Sequence, residues 1–289
     1  MAGANIMWGM MSPISKFVLA AGLVSPLLLT QFRVVGAALL FWVAGLFTPK
    51  DKVPFPDILR MAGAACLAIV FNQGSFIFGV GLTSPSEASI ITTTMPMWVI
   101  LLSWLFLGDS ITGKKFAGLL LGASGALILV LNAKGSGVEG DNPTLGDILV
   151  LTAQLSYALY LTIFKNFIRK YSLITLMKWM FLFASIAMSP ALFHSIPETM
   201  WSQIDTLQWC AVAYVVVGGT FLAYILSTAG QKVLSPSVVG MYNYVQPIVA
   251  SMLGIAIGLD NFNFPKAIAI VLIFSGVYLV TKSVALKQK

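Results

Sequence analysis

Few side chains in this sequence could carry charge or protons through an apolar medium, and their placement narrows what the chain can do. Ten acidic residues, one histidine and two cysteines stand among 289 residues, 58% of them hydrophobic. Inside or at the edge of the apolar runs lie Lys16, Arg33, Lys165 and Lys178, with Glu87 at the mouth of another run. Arg33 and Lys178 could attract a carboxylate on a small molecule, because an intramembrane cation needs a partner. Lys178, about five residues into its run, is equally placed to snorkel to the headgroups. Glu87 follows Pro85 and suits a first helical turn, where an acid meets the positive end of the helix dipole. Cys66 and Cys210 have no metal spacing, and no cluster of His, Asp, Glu or Cys at membrane depth suggests an enzyme or a cofactor. The single His194 falls at the outer end of a run, so Glu87 is the one candidate for a proton relay. Obligatory proton transfer is therefore not visible in these residues.

Uncharged polar groups supply the better candidates for binding. Asn72 and Gln73 lie deep in one apolar run, Gln154 and Tyr157 in another, Tyr224 in a third, and Tyr242, Asn243 and Gln246 in a fourth, with Thr93 in a run that resembles the last. Amides in hydrocarbon need a partner, which is either a neighbouring helix or a hydrated cavity. Consecutive Asn and Gln cannot face one partner helix equally, and Gln73 is the one favoured to point at a cavity. Trp8, Tyr157, Tyr160, Tyr224 and Tyr242 could line it and stack on an apolar or aromatic group; the alternative for each is ordinary packing or an interfacial position.

The elements that must hold these residues are membrane helices. Mean hydropathy is +0.91 and only 9% of residues are charged, which leaves more apolar surface than one globular core can hide. A helix crosses the hydrocarbon with about 20 apolar residues, and ten candidate spans are found: 1–20, 26–48, 58–82, 87–107, 112–131, 145–167, 173–193, 207–231, 237–258 and 264–283. The first has no basic start of a cleavable signal and reads as a membrane helix. No period-two alternation suggests a barrel.

The motif SPSEASIITTTMP at 84–96 returns as SPSVVGMYNYVQP at 235–247, and at that offset of 151 further matches follow without gaps. Gly79 pairs with Gly230, Asp109 with Asp260, Lys115 with Lys266, and Ser124-Gly125 with Ser275-Gly276. Earlier helices match at slightly smaller offsets, Trp8 and Lys16 with Tyr157 and Lys165, and Arg33 with Lys178. The chain therefore divides into residues 1–133, a Gly-rich flexible linker at 134–144, and residues 145–289. Five helices per unit is odd, so the second unit enters the membrane from the opposite side. An all-α fold of ten helices in two inverted five-helix repeats is expected.

Pro96 and Pro247 are expected to kink the fourth helix of each unit and to free the carbonyls of Thr92 and Asn243. The stripe Ser89, Thr92, Pro96, Val99, Ser103 and its counterpart Gly240, Asn243, Pro247, Ala250, Gly254 carry small residues, which suits close helix packing as well as a site. Asp109 and Asp260 suit helix capping or pairing with Lys115 and Lys266. A cytoplasmic N-terminus places Lys50, Lys52, Arg60, Lys114, Lys115, Lys165, Arg169, Lys170, Lys232 and the C-terminal lysines inside, and leaves Lys134 and Lys266 outside. Both termini are thus expected in the cytoplasm, and the net charge of +7 serves an anionic leaflet rather than nucleic acid.

Taken together, the ten-helix duplicated layout, Trp8-Gly9 with Lys16, Arg33, the Pro96 helix ending in Gly108-Asp109, and the glycines at 118, 122 and 125 resemble the EamA branch of the drug/metabolite transporter superfamily. Asp stands at 109 and 260 where that family often has Glu, which keeps the carboxylate, and Trp8 comes earlier than is usual. The resemblance implies a secondary transporter in the bacterial inner membrane that exports small metabolites, commonly amino acids or related compounds. Its partners would be that small molecule and membrane lipid. A nucleotide-sugar or phosphorylated-metabolite carrier would want several cations converging at the midplane, where only Arg33 and Lys178 are available. A structural or regulatory membrane protein would tolerate apolar replacement of Gln73, Asn243 and Gln246 together.

Overall fold

The computed structural model describes residues 1–20, 23–49, 51–82, 88, 91–131, 142–195, 201–256 and 263–285, and among these every regular element is helical. In order they are α1 (Ala2–Ala20), α2 (Pro26–Ala44), α3 (Phe55–Ala65), a π-helical turn (Cys66–Phe71), α4 (Asn72–Leu82), α5 (Met95–Leu107), α6 (Gly113–Leu131) and α7 (Pro143–Ile163). There follow the short α8 (Lys165–Ile168), α9 (Leu173–Ser195), α10 (Thr206–Val216), a second π turn (Val217–Leu222), α11 (Ala223–Val233), α12 (Pro236–Met241), α13 (Val245–Ala256) and α14 (Phe264–Ala285). Glu87, Asp260 and residues 134–141 of the expected linker lie outside the described residues.

Six of the described helices are long and apolar enough to cross a bilayer: Pro26–Ala44, Phe55–Gly79, Thr144–Ile163, Leu173–Pro190, Thr206–Val233 and Phe264–Ser283. Large apolar side chains such as Leu39, Trp104, Leu105, Val271 and Phe274 are exposed on the outside of the bundle. Contiguous apolar surface on this scale suits lipid. The chain is a multi-pass membrane protein, all-helical among the described residues.

Local chemistry sets the helix starts. Ser25 and Ser235 each accept a backbone N–H three residues on, from Leu28 and Val238, and each is followed by proline at the first helical position. Proline there has the right φ and gives up an N–H that has no helical partner. Asp205 and Gln208 close a reciprocal capping box on α10. Gly108 ends α5 at φ 65°, a left-handed conformation that costs glycine little.

The two π turns sit at one register. Cys66–Phe71 and Val217–Leu222 are separated by the same 151 residues that relate the sequence motifs, and each joins two helices into one long span. Contacts between helices come in matched pairs under that relation. The α4 helix lies along α7 as α11 lies against α1, and α13 lies along α1 as α5 lies along α7. The α6 and α14 helices pack on each other, as do α2 and α9. At the first of these pairs a Cβ on Gly276 would come 2.5 Å from the Gly118 oxygen and 2.7 Å from the Gly122 nitrogen, so the backbones meet where side chains would have stood.

The prolines do not bend an unbroken helix, as the sequence reading supposed. Thr93 and Thr94 form a turn, and Pro96 sits in the first turn of α5; Pro247 sits in the first turn of α13, after a 3₁₀ turn at Tyr242–Tyr244. Each fourth span is thus broken into segments, because the first turn is where a missing N–H costs least. Across the break the small-residue stripes pack on each other: α12 lies on α5, and a Cβ on Gly240 would come 3.2 Å from Val99.

Candidate functional site

The second π turn opens the widest part of its helix and directs Thr220 at Arg33. The Arg33 Nε donates to Thr220 Oγ1 at 3.2 Å, while the Thr220 hydroxyl donates to the Val215 carbonyl five residues back at 2.8 Å. That i to i−5 bond falls within the π turn, and such turns recur at functional sites. One turn further, Tyr224 OH accepts from Gln73 Nε2 at 3.1 Å. Gln73 is the second residue of α4 after the first π turn, as Tyr224 is of α11 after the second, so the two residues occupy matching positions 151 apart and touch each other.

Rings close around this pair. Trp8 stands edge-on to Tyr224 at 5.7 Å and Phe181 edge-on at 4.9 Å, with Phe41 stacked on Phe181 at 5.3 Å. Tyr224 is 7% exposed and Gln73 6%, and the Gln73 Oε1 is buried with no hydrogen-bond partner among the described residues.

The polar face continues down α11. Thr220, Tyr224, Ser227 and Gln231 follow one another at helical spacing, and all are buried. Gln231 Nε2 donates to Tyr157 OH at 3.2 Å and to Ser227 Oγ at 3.0 Å, and its Oε1 accepts from Tyr160 OH at 3.2 Å. Beyond Gln231 a shallow indentation is lined by Leu161, Lys165, Ile168, Leu234, Pro236 and Val239.

A second group of amides lies where α1 meets α13. Gln246 Nε2 donates to Asn5 Oδ1 at 2.8 Å and reaches Asn243 Oδ1 at 3.4 Å, and Asn243 Nδ2 points to the Met95 sulfur at 3.1 Å. Asn5 is fully buried. Asn5 and Trp8 are one helical turn apart on α1, so one helix carries both groups.

Of the residues named from the sequence for one cavity, the structure gathers Trp8, Gln73, Tyr157 and Tyr224 in one polar and aromatic cluster, and Asn243 and Gln246 in another. Asn72 turns away, donating to the Ala153 carbonyl of α7 at 2.9 Å in a bond between helices. Tyr242 and Thr93 are half-buried, Tyr242 against the packing that surrounds Tyr244. Lys178 is not beside Arg33: its Nζ lies over the Trp42 ring at 5.3 Å, near the far end of α2, about 14 Å along the helix from Arg33. Asp109 pairs with Lys115 at 3.8 Å. Thr220, Ser227, Gln231 and Asn5 were missed. The first three continue from Tyr224 at spacings of four, three and four, and that stripe was the signal for them.

Charged groups gather at one end of the bundle. Asp57, in the first turn of α3, accepts from Arg60 at 3.1 Å and from both Lys170 Nζ and Tyr171 OH, and Lys232 Nζ donates to the Tyr171 carbonyl. The Ser172 N–H donates to Asp51 at 2.8 Å. Hydrogen bonds from Ser172 hold the Asp51 carboxyl below its ordinary value, and the bond to Asp57 raises Lys170. These bonds join the segment before α3 to the segment before α9 and to the end of α11.

Long apolar helices that bury bonded polar side chains between them suit a membrane protein whose interior handles polar groups. Its family is that of the EamA-like transporters: their sequence pattern matches residues 1–131 and 144–282, and the chain belongs to that family. Among relatives, the uncharacterized transporter YetK of Bacillus subtilis is 26% identical over 70% of this chain and 62% of its own length. The uncharacterized inner membrane transporter YedA of Escherichia coli K12 is 26% identical over 96% of this chain and 87% of its own. Measured against YetK, the chain spans less than two thirds of the relative's length. A crystal structure 20% identical in sequence superposes over 99% of this chain and 96% of its own, with a TM-score of 0.80, so the fold is shared.

Proposed function

We propose that this chain is a secondary transporter that exports small metabolites, amino acids or related compounds, across the bacterial inner membrane by alternating access. Ten helices would form two inverted five-helix repeats, residues 1–133 and 145–289, joined by the linker at 134–144, with both termini cytoplasmic. The observation that carries the reading is the bond between Gln73 and Tyr224. Residues at matching positions meet only where a two-fold axis passes between the repeats, and the meeting here is polar, buried and ringed by aromatic side chains. The matched helix contacts and π turns support the same relation. Trp8, Gln73, Tyr157, Tyr224, Asn243 and Gln246 are the proposed substrate-facing residues, with Arg33 as the cation beside them. Thr93 and Tyr242 take places around them, Asn72 serves a bond between helices, the breaks before Pro96 and Pro247 give the fourth helices freedom to move, and Lys178 stands outside this core.

The test is reconstitution of the purified chain in liposomes with a panel of labelled amino acids and related metabolites, with and without a pH gradient. Flux that requires the protein, and that falls when Gln73, Asn243 and Gln246 are all replaced by alanine, is the expected result. Flux indifferent to the protein would reject transport. Flux indifferent to that triple replacement would reject the site. A phosphorylated or nucleotide-sugar substrate is disfavoured by the separation of Lys178 from Arg33, which leaves Arg33 as the cation of the cluster among the described side chains.

A further inference from the structure

We propose that Gln231, clasping Tyr157 and Tyr160, is a hydrogen-bonded gate across one end of the bundle, and that the buried stripe from Thr220 to Gln231 is the polar path behind it. The inference rests on the transport reading and deepens it, by giving the cytoplasmic half of the route a closure and a lining that the outer half lacks. Helix contacts sort six helices into two groups: α4 and α5 lie along α7, while α11 and α13 lie against α1. Each group takes helices from both halves of the chain. Tyr157 and Tyr160 stand on the first group and Gln231 on the second, so their bonds, both at 3.2 Å, hold one group to the other. With α7 packed chiefly on α4 and α5, and α11 on α1, the three long side chains span the space between α7 and α11.

The clasp is complete in itself. Gln231 donates to Tyr157 and Ser227 and accepts from Tyr160, and an amide turned over would meet the same three hydroxyls, because each can donate or accept. All four side chains are buried. Gln231 and Lys165 are the polar members of the indentation at this end, and the next residue, Lys232, donates to the Tyr171 carbonyl. At the offset of 151 the stripe Thr220, Tyr224, Ser227, Gln231 corresponds to Ile69, Gln73, Phe76, Val80, and at the smaller offset that pairs Trp8 with Tyr157, Met11 pairs with Tyr160. A valine in place of Gln231 removes the member that holds both partners. Polar side chains therefore run from the centre to one end along α11, and the matching row on α4 is apolar beyond Gln73. Opening a polar gate exchanges its bonds for bonds to water, so each favours closure only about twofold to tenfold. Opening the apolar counterpart wets apolar surface with no such exchange.

The test is the accessibility of a cysteine behind the gate. Ser227→Cys, at a fully buried position one turn inside Gln231, is the reporter in a full chain carrying Cys66→Ala and Cys210→Ala. Its reaction with a membrane-impermeant methanethiosulfonate is timed in inside-out and right-side-out vesicles, so each variant gives a ratio between the two faces. With the clasp intact, labelling should be slow from both. Gln231→Leu should speed it about tenfold from the face on which Met1 lies, beside Gly230, and Tyr157→Phe with Tyr160→Phe should do so to a similar extent. Combining all three should add less than about twofold, because the same bonds are already gone. Fast labelling with the clasp intact overturns the gate, as do rates unmoved by Gln231→Leu, rates that multiply in the combined variant, and acceleration from both faces, which general loosening would give. Acceleration from the opposite face alone keeps the gate and overturns the cytoplasmic placement of the termini. Flux in liposomes separates the two readings: its absence beside a responsive gate rejects transport and keeps the gate, and robust flux beside unresponsive labelling rejects the gate and keeps transport.

Discussion

Replacing Gln73 and Tyr224 together should make the protein more stable and less active. Gln73 Nε2 and Tyr224 OH are bonded at 3.1 Å, but Gln73 Oε1 is buried without a partner. Leaving a buried acceptor unpaired costs about 1–3 kcal/mol, whereas a neutral hydrogen bond contributes about 0.5–1.5 kcal/mol net. Tyr224→Phe alone removes the bond and strands Nε2 as well, so it should destabilise by about 1–3 kcal/mol. Gln73→Leu with Tyr224→Phe removes the bond, the bare acceptor and the stranded donor together, at nearly constant volume. The gain outweighs the loss, and the double variant should exceed the wild type by about 1 kcal/mol, with Tyr224→Phe alone below both. Thermal unfolding in detergent, followed by intrinsic fluorescence, would register the order as shifts of a few degrees. Flux in liposomes should be lost in the double variant, the trade of function for stability expected where a binding group is kept at a cost. A double variant less stable than Tyr224→Phe would refute the reasoning, because Oε1 would then have a partner worth keeping.

Three further outcomes follow from the packing and the charged end. Gly276→Ala places a methyl 2.5 Å from the Gly118 oxygen and should lower stability by about 1–3 kcal/mol through overpacking, whereas Gly113→Ala, with no atom within 4 Å of its Cβ, should not; thermal unfolding compares them. The folded-state value of Asp51 is depressed by Ser172, so its contribution is present above the unfolded value and is lost as pH falls through the folded one. Protection of the Ser172 amide should therefore persist at neutral pH and vanish only below the usual Asp value of about 3.9, and Asp51→Asn should remove this dependence in hydrogen exchange. Tyr171→Phe deletes the donor to Asp57 while sparing the carbonyl that Lys232 uses, and should speed labelling of a cysteine placed at Gln231 by an impermeant maleimide.

Much of the fold was legible because membrane helices announce themselves by composition and because two Ser-Pro-Ser motifs at one offset expose a duplication. The helix bounds follow the apolar runs closely, as at 173–193 against Leu173–Ser195 and 264–283 against Phe264–Ala285. What misled was Pro96: a proline within a long apolar run looks the same whether it bends a helix or starts a new segment, and Thr93-Thr94 decides for the latter. The π turns carry no residue signature, so the widening that presents Thr220 to Arg33 was invisible. Gln73 and Tyr224 could each be picked as costly polar residues in hydrocarbon, but their bond depends on α4 and α11 being neighbours, which no single helix records. Asn5 was not singled out from the sequence, although it is fully buried.

The proposed alternation must break some contacts between the halves and keep others, and their energetics decide which. Gln73–Tyr224, Arg33–Thr220 and Gln246–Asn5 are single hydrogen bonds across the centre, and neutral ones contribute about 0.5–1.5 kcal/mol each. Their sum is a few kcal/mol, the usual gap between carrier states that a ligand can shift. The α6–α14 contact is different: with backbone against backbone at Gly118, Gly122 and Gly276, any sliding breaks many close contacts at once. The halves should therefore part at the centre and at the Asp57 end while α6 and α14 stay together as the hinge. Spin labels at the exposed positions Leu127 and Val271 should keep one distance with and without leucine, whereas labels at the exposed Arg60 and Arg169 should shift. A constant Arg60–Arg169 distance with a moving Leu127–Val271 pair would place the hinge elsewhere and undo this assignment of strong and weak contacts.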